Sequence, residues 1–185
     1  MRIRYNAPVT LTFALLSTAV LVFDLLTGRR LTAGFFSIGP TLDFSNPLQW
    51  PRLVTHVIGH ADWAHLISNF AFILLLGPSL EEKYGSAGLF FMMLLTALVT
   101  GLLNILLFST GLLGASGIVF MMILLSSFTN IRQGDIPMTF LLVVALYLTR
   151  EFAASVRQDG ISQFAHIVGG ACGGLFGFWR PRKSA

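Results

Sequence analysis

The chain has 185 residues, of which 55% are hydrophobic and only 11% charged, and its mean hydropathy is +0.77. So much apolar surface excludes a water-soluble domain of this size and points to an all-α integral membrane protein. The net charge of +4 is no nucleic-acid signal, because the basic residues stand at the chain ends and between apolar segments, and the lone Cys172 excludes an internal disulfide.

An apolar run from Ala7 to Leu26 is too long for a signal-peptide core and ends at Gly28-Arg29-Arg30, so it reads as a first transmembrane helix that stays. From Leu31 to Ala61 the chain changes character. Pro40, Pro47 and Pro51 break any long helix while Phe35, Phe36, Phe44 and Trp50 keep it apolar, which predicts a folded first loop partly embedded in the membrane. Five further apolar segments follow, at about 63–80, 87–108, 114–130, 136–154 and 163–179. Several fall short of the roughly 20 residues of a straight span. Short spans that carry polar residues predict helices ending below the surface, beside a water-filled cavity. Six spans put both termini on one side. With the N-terminus inside, the inner segments hold Arg2, Arg4, Lys83, Arg132, Arg180, Arg182 and Lys183, and the outer ones Arg29, Arg30, Arg52, Arg150 and Arg157. Seven against five favours both termini in the cytoplasm.

Polar residues inside spans are costly, so function is sought there. Ser116 stands between Gly114 and Gly117 at the mouth of an apolar run, where small neighbours permit close approach and a helix start offers free N–H groups. Packing alone would also explain a serine there. His65 and Asn69 are four apart and share one helix face; they can bind one oxygen or simply tie helices together. His166, Gly170 and Gly174 form a stripe of four-residue spacing, a groove for a partner helix with a histidine at its head. If that partner begins at Gly114, His166 can serve Ser116 as base. His56 and His60 make only a weak metal pair, since no cysteine cluster joins them, and neither a metal nor another cofactor is expected. Glu81-Glu82-Lys83-Tyr84-Gly85, after Gly77-Pro78, reads as a helix end and turn, with Glu82 and Lys83 at a solvated corner.

The set Gly114-Ala-Ser116-Gly117, His65-x-x-x-Asn69, Gly77-Pro-x-x-Glu81-x-x-x-Gly85 and Ala165-His166-x-x-Gly-Gly170-x-x-x-Gly174 resembles the rhomboid family of intramembrane serine proteases, from about residue 48 to 178. The resemblance implies a six-transmembrane-helix bundle, a single membrane domain over 1–185, and a Ser116–His166 dyad without a third acidic residue. It implies an oxyanion site from His65, Asn69 and the Ser116 N–H. The family's Trp-Arg element is matched only in part, as Trp50-Pro51-Arg52. Phe120 stands where the family often has a tyrosine packed on the histidine, which keeps the ring and loses its hydroxyl. The expected partners are single-span membrane proteins and the lipid bilayer, with no nucleic acid, and the expected location is a bacterial-type plasma membrane. A non-catalytic relative that binds membrane helices is the alternative, disfavoured by the presence of both Ser116 and His166.

Overall fold

The structure, a computed structural model, describes residues 4–39, 43, 45–108, 111–128 and 162–179, with scattered positions between 138 and 149. Among them are seven α-helices: α1 (Pro8–Leu26), α2 (Arg30–Phe35), α3 (Arg52–Thr55), α4 (Trp63–Tyr84), α5 (Ser86–Leu107), α6 (Ser116–Phe128) and α7 (Ser162–Trp179). Helices α1, α4 and α5 are long and apolar enough to cross a membrane. Their outer faces are apolar and bare, as at Leu26, Leu75 and Leu106, which is the surface that lipid covers. The protein is an all-helical membrane bundle. The fifth apolar segment of the sequence, 136–154, lies largely outside the described residues.

Among the described residues the larger of two apolar clusters is shared by α1, α4, α5, α6, α7 and the first loop. It includes Phe13, Phe70, Ile73, Met92, Met121 and Phe176, with the Phe13 and Phe70 rings 5.4 Å apart. The described part of helix α6, Ser116–Phe128, covers about 20 Å at 1.5 Å per residue.

The turn expected at 81–85 forms later. Helix α4 runs through Pro78 to Tyr84, and the chain turns at Gly85, with φ +74°. Membrane helices tolerate an internal proline when surrounding groups re-satisfy the backbone, and the far end of α4 is firmly tied. Glu81 is buried, and its carboxylate accepts from Val9 N (2.9 Å), Thr10 N (3.0 Å), Thr10 Oγ1 (2.9 Å) and Ser86 Oγ (2.7 Å). Pro8 opens α1 without needing a partner for its nitrogen, and the next two N–H groups go to Glu81. The carboxylate thus acts as an N-cap supplied by another helix, favourably placed in the helix dipole. Glu82 and Lys83 are exposed, as the sequence suggested.

The first loop is folded against itself and against the start of α6. Arg52 donates from Nε to Ser37 O (2.6 Å) and from Nη2 to Ala33 O (2.8 Å), and Thr55 Oγ1 donates to Phe35 O (2.5 Å). Ile38 and Leu112 exchange two backbone hydrogen bonds of 2.8 and 2.9 Å in an antiparallel bridge.

Glu81→Ala would strip four donors of their acceptor and is expected to lower stability in detergent by about 2–3 kcal/mol. The exposed Glu82→Ala should stay within about 0.5 kcal/mol of the parent. Denaturation in mixed micelles compares the two.

Candidate active site

Ser116 is the first residue of α6 and is half-buried. The turn before it is held by the first loop, since Gly114 N donates to His56 O at 2.9 Å. Ala115 is buried, and its carbonyl accepts the first helical bond, from Val119 N at 3.0 Å. Gly114 has φ +107°, a conformation that disfavours any side chain. A Cβ there would lie 2.6 Å from both Cε1 and Nε2 of His65 and 3.8 Å from Nδ2 of Asn69. The glycine is therefore the gap through which the α4 pair faces the Ser116 turn.

His65 and Asn69 reach that gap because α4 starts where it does. Asp62 caps the helix, its side chain accepting from His65 N at 2.7 Å. Ala61 N donates to His65 Nδ1 at 3.4 Å. A backbone amide can only donate, so Nδ1 holds the lone pair and the neutral ring carries its proton on Nε2, the edge turned to Gly114. Asn69 is buried, and its Nδ2 has no hydrogen-bond partner. An unpaired buried donor costs about 1–3 kcal/mol.

His166 is buried on α7 with Phe120 of α6 beside it, ring centroids 4.4 Å apart and tilted by 41°. Helices α6 and α7 meet backbone to backbone. A Cβ on Gly169 would overlap the Gly117 carbonyl, one on Gly173 would overlap the Met121 carbonyl, and one on Gly117 would come to 3.2 Å from Ala165 O. Gly117, next in sequence to Ser116, thus meets both Gly169 and the carbonyl of Ala165, next in sequence to His166. This contact runs through Gly169 and Gly173. On the same helix Gly170 is buried and Gly174 half-buried.

A model of the Rhomboid domain matches residues 47–183. The chain belongs to the rhomboid family. It is similar to the Rhomboid protease GlpG of Yersinia pestis (strain Pestoides F), 25% identical over 182 residues that make up 96% of this chain and 64% of that relative. The GlpG of Yersinia pseudotuberculosis serotype O:3 (strain YPIII) matches to the same extent. Rhomboid-like protein 11, chloroplastic, of Arabidopsis thaliana is 37% identical over 73 residues, 38% of this chain and 26% of its own. This rhomboid chain spans 64% of the length of the GlpG relatives.

Several residues that support the rhomboid site escaped the sequence reading. Arg29 adopts φ +68°, and its guanidinium donates to the Ala61 carbonyl. That tether fixes the residue whose own amide sets the His65 tautomer. Asp24 is buried near the end of α1, where Oδ1 accepts from Thr32 N at 2.8 Å and starts α2. Asp62, between the first loop and the second apolar segment, is the cap of α4. His60 stacks edge-on against His65 with ring centroids 5.0 Å apart. His56 and His60 each direct Nδ1 at a carbonyl, of Arg52 (3.2 Å) and Ile58 (3.0 Å) respectively. Both serve in folding the loop beneath the Ser116 turn.

Burial pushes His56 and His60 down to about 4, against the carbonyl bonds that hold some proton affinity. Above pH 6.5 both rings are neutral whether the chain is folded or not. As pH falls from 6.5 towards 4, the unfolded chain binds protons that the folded loop refuses. Stability should then fall by about 1.4 kcal/mol per pH unit for each ring. Melting in detergent across pH 4–8 should be flat at the alkaline end and steep below 6.5. A profile with no drop above pH 4 would contradict this account.

Proposed function

We propose that this rhomboid is an intramembrane serine endopeptidase in which Ser116 and His166 form the catalytic dyad. The observation that carries the reading is the buried, unpaired Nδ2 of Asn69, beside the Nε2 edge of His65, both at the gap opened by Gly114. An enzyme that stabilises an oxyanion needs donors fixed in place before the charge develops, with no acceptor in the resting state. A bundle that merely needed a polar tie between helices would have satisfied that amide.

In the proposed reaction Ser116 Oγ attacks the scissile carbonyl carbon while His166 takes the hydroxyl proton. The carbonyl oxygen becomes the oxyanion and accepts from Asn69 Nδ2, His65 Nε2 and the Ser116 N–H. His166 then gives its proton to the leaving amine, and the C–N bond breaks to leave an acyl-serine. Water, deprotonated by the same imidazole, cleaves the ester and restores Ser116. Phe120 packs on the His166 ring, and Gly117, with Gly169 and Gly173 on α7, keeps the two helices close. The substrates are single-span membrane proteins whose helix unwinds near small residues, since only an extended strand exposes a carbonyl to attack. The proposed architecture has six spans in one domain over 1–185, with its core at about 48–178. It lies in a bacterial-type plasma membrane with both termini in the cytoplasm.

Ser116→Ala and His166→Ala are each expected to abolish cleavage of a model transmembrane substrate with melting nearly unchanged. Asn69→Ala and His65→Ala should lower turnover by up to about 10²–10³-fold. These two should still react with a fluorophosphonate probe, more slowly than the parent, whereas Ser116→Ala should not react. Residual turnover in Ser116→Ala would remove the protease assignment, and parental turnover in both α4 variants would make that pair structural.

Reporter fusions test the orientation. A fusion at Ala185 should report the cytoplasm, and one within 31–50 the opposite side. An exterior C-terminus would refute it.

A further inference from the structure

A cavity of about 420 Å³ lies between α1, α5, Ile118 of α6 and the first loop, and none of His65, Asn69, Ser116 and His166 lines it. Its walls include Val9 and Phe13 of α1, Met93 and Leu94 of α5, and Val57 and Ile58 of the loop. The volume falls within the roughly 300–1,000 Å³ of small-molecule sites. Two hydroxyls border it, and both are engaged: Thr55 Oγ1 with Phe35 O, and Thr12 Oγ1 with Tyr5 OH at 2.9 Å. Nothing in the lining is left to hold a polar ligand. Leu16, Phe90 and Leu94 at the rim are 40–56% exposed, so the mouth opens where lipid covers the bundle.

The cavity follows α1 from Pro8 to Leu16, about 12 Å of helix, which stays within one half of a roughly 30 Å hydrocarbon core. Lipid tails are as apolar as leucine, so transfer from the bilayer into the cavity supplies no hydrophobic force. An empty void would nonetheless forfeit dispersion contacts on every wall, and a chain end is the filler at hand. Selectivity must then come from the headgroup. Thr12 lines the cavity, and its bond to Tyr5 OH ties Tyr5 to that side of α1, with the exposed Arg4 next to it in the chain. A cation and an aromatic hydroxyl at an interface match an anionic headgroup.

We propose that this cavity is a binding site for an anionic phospholipid, with one acyl chain between α1 and α5 and the headgroup at Arg4 and Tyr5. The chain end meets Val57 and Ile58, in the loop whose His56 carbonyl holds Gly114. A bound lipid therefore braces the loop that positions the Ser116 turn.

The test uses the full chain in phosphatidylcholine vesicles with a trace of phosphatidylglycerol, or of phosphatidylcholine, bearing a photoactivatable diazirine on its acyl chain. Peptide mass spectrometry locates the adducts, so the readout is independent of proteolysis. Adducts from the phosphatidylglycerol probe should concentrate on Val9, Phe13 and Met93 over the lipid-facing Leu75 and Leu106. They should exceed those from the phosphatidylcholine probe about fivefold, the factor expected for one basic residue at an anionic lipid surface. Arg4→Glu, outside every helix, should erase that preference, and Leu94→Trp, which narrows the mouth, should reduce cavity adducts from both probes. Adducts spread evenly over cavity and outer face, equal labelling by the two probes, or a preference that survives Arg4→Glu would each overturn the proposal.

Discussion

Helices α6 and α7 touch through their backbones, and the site is built around that contact. With Gly169 against the Gly117 carbonyl and Gly173 against the Met121 carbonyl, the two axes lie closer than side chains on both would permit. In a bilayer no hydrophobic force presses helices together, so close packing of small residues must supply the attraction. The same closeness brings the ring of Phe120 onto His166. A single methyl group on either glycine would drive the helices apart by the whole overlap, and His166 would move with α7.

The other half of the site is held from the opposite side by segments that carry no polar site residue themselves. The first loop grips the chain ahead of Ser116 at two places, the Ile38–Leu112 bridge and the His56 carbonyl on Gly114. Arg52 keeps that loop folded by binding two of its carbonyls. Arg29 reaches from beyond the end of α1 to residue 61, at the entry to α4. The gap at Gly114 and the α4 pair that faces it are thus held by backbone contacts on both flanks. Loop and tether are peripheral in position and central in effect.

Much of this arrangement was legible in the sequence wherever a helical period carried the information. His65 and Asn69, four apart, share a face on any helix, and they do face one gap. The membrane class, the folded first loop and the long helices followed from apolar run lengths and prolines. Glu81 was harder to place, because Pro78 ordinarily announces a helix end and the acid then reads as part of a turn. Its partners are amides of α1, which have no sequence signature. Arg29 poses the same difficulty, since its acceptor is a carbonyl 32 residues away. In Gly169-Gly170-Ala-Cys-Gly173-Gly174 two stripes of four-residue spacing run side by side, and periodicity alone cannot choose which one meets α6.

The cap on α1 also has a history in time. Its two amides are bonded to a carboxylate 71 and 72 residues further along the chain. At about 5–20 residues per second of synthesis, α1 waits roughly 4–14 s before Glu81 exists. During that interval its first N–H groups can be satisfied only by water at the membrane surface, which keeps that end of the helix at the interface. Once α4 has entered, the carboxylate replaces that water, and the start of α1 is tied to α4. The bundle therefore sets the register of its first helix late, from the far end of its second long one.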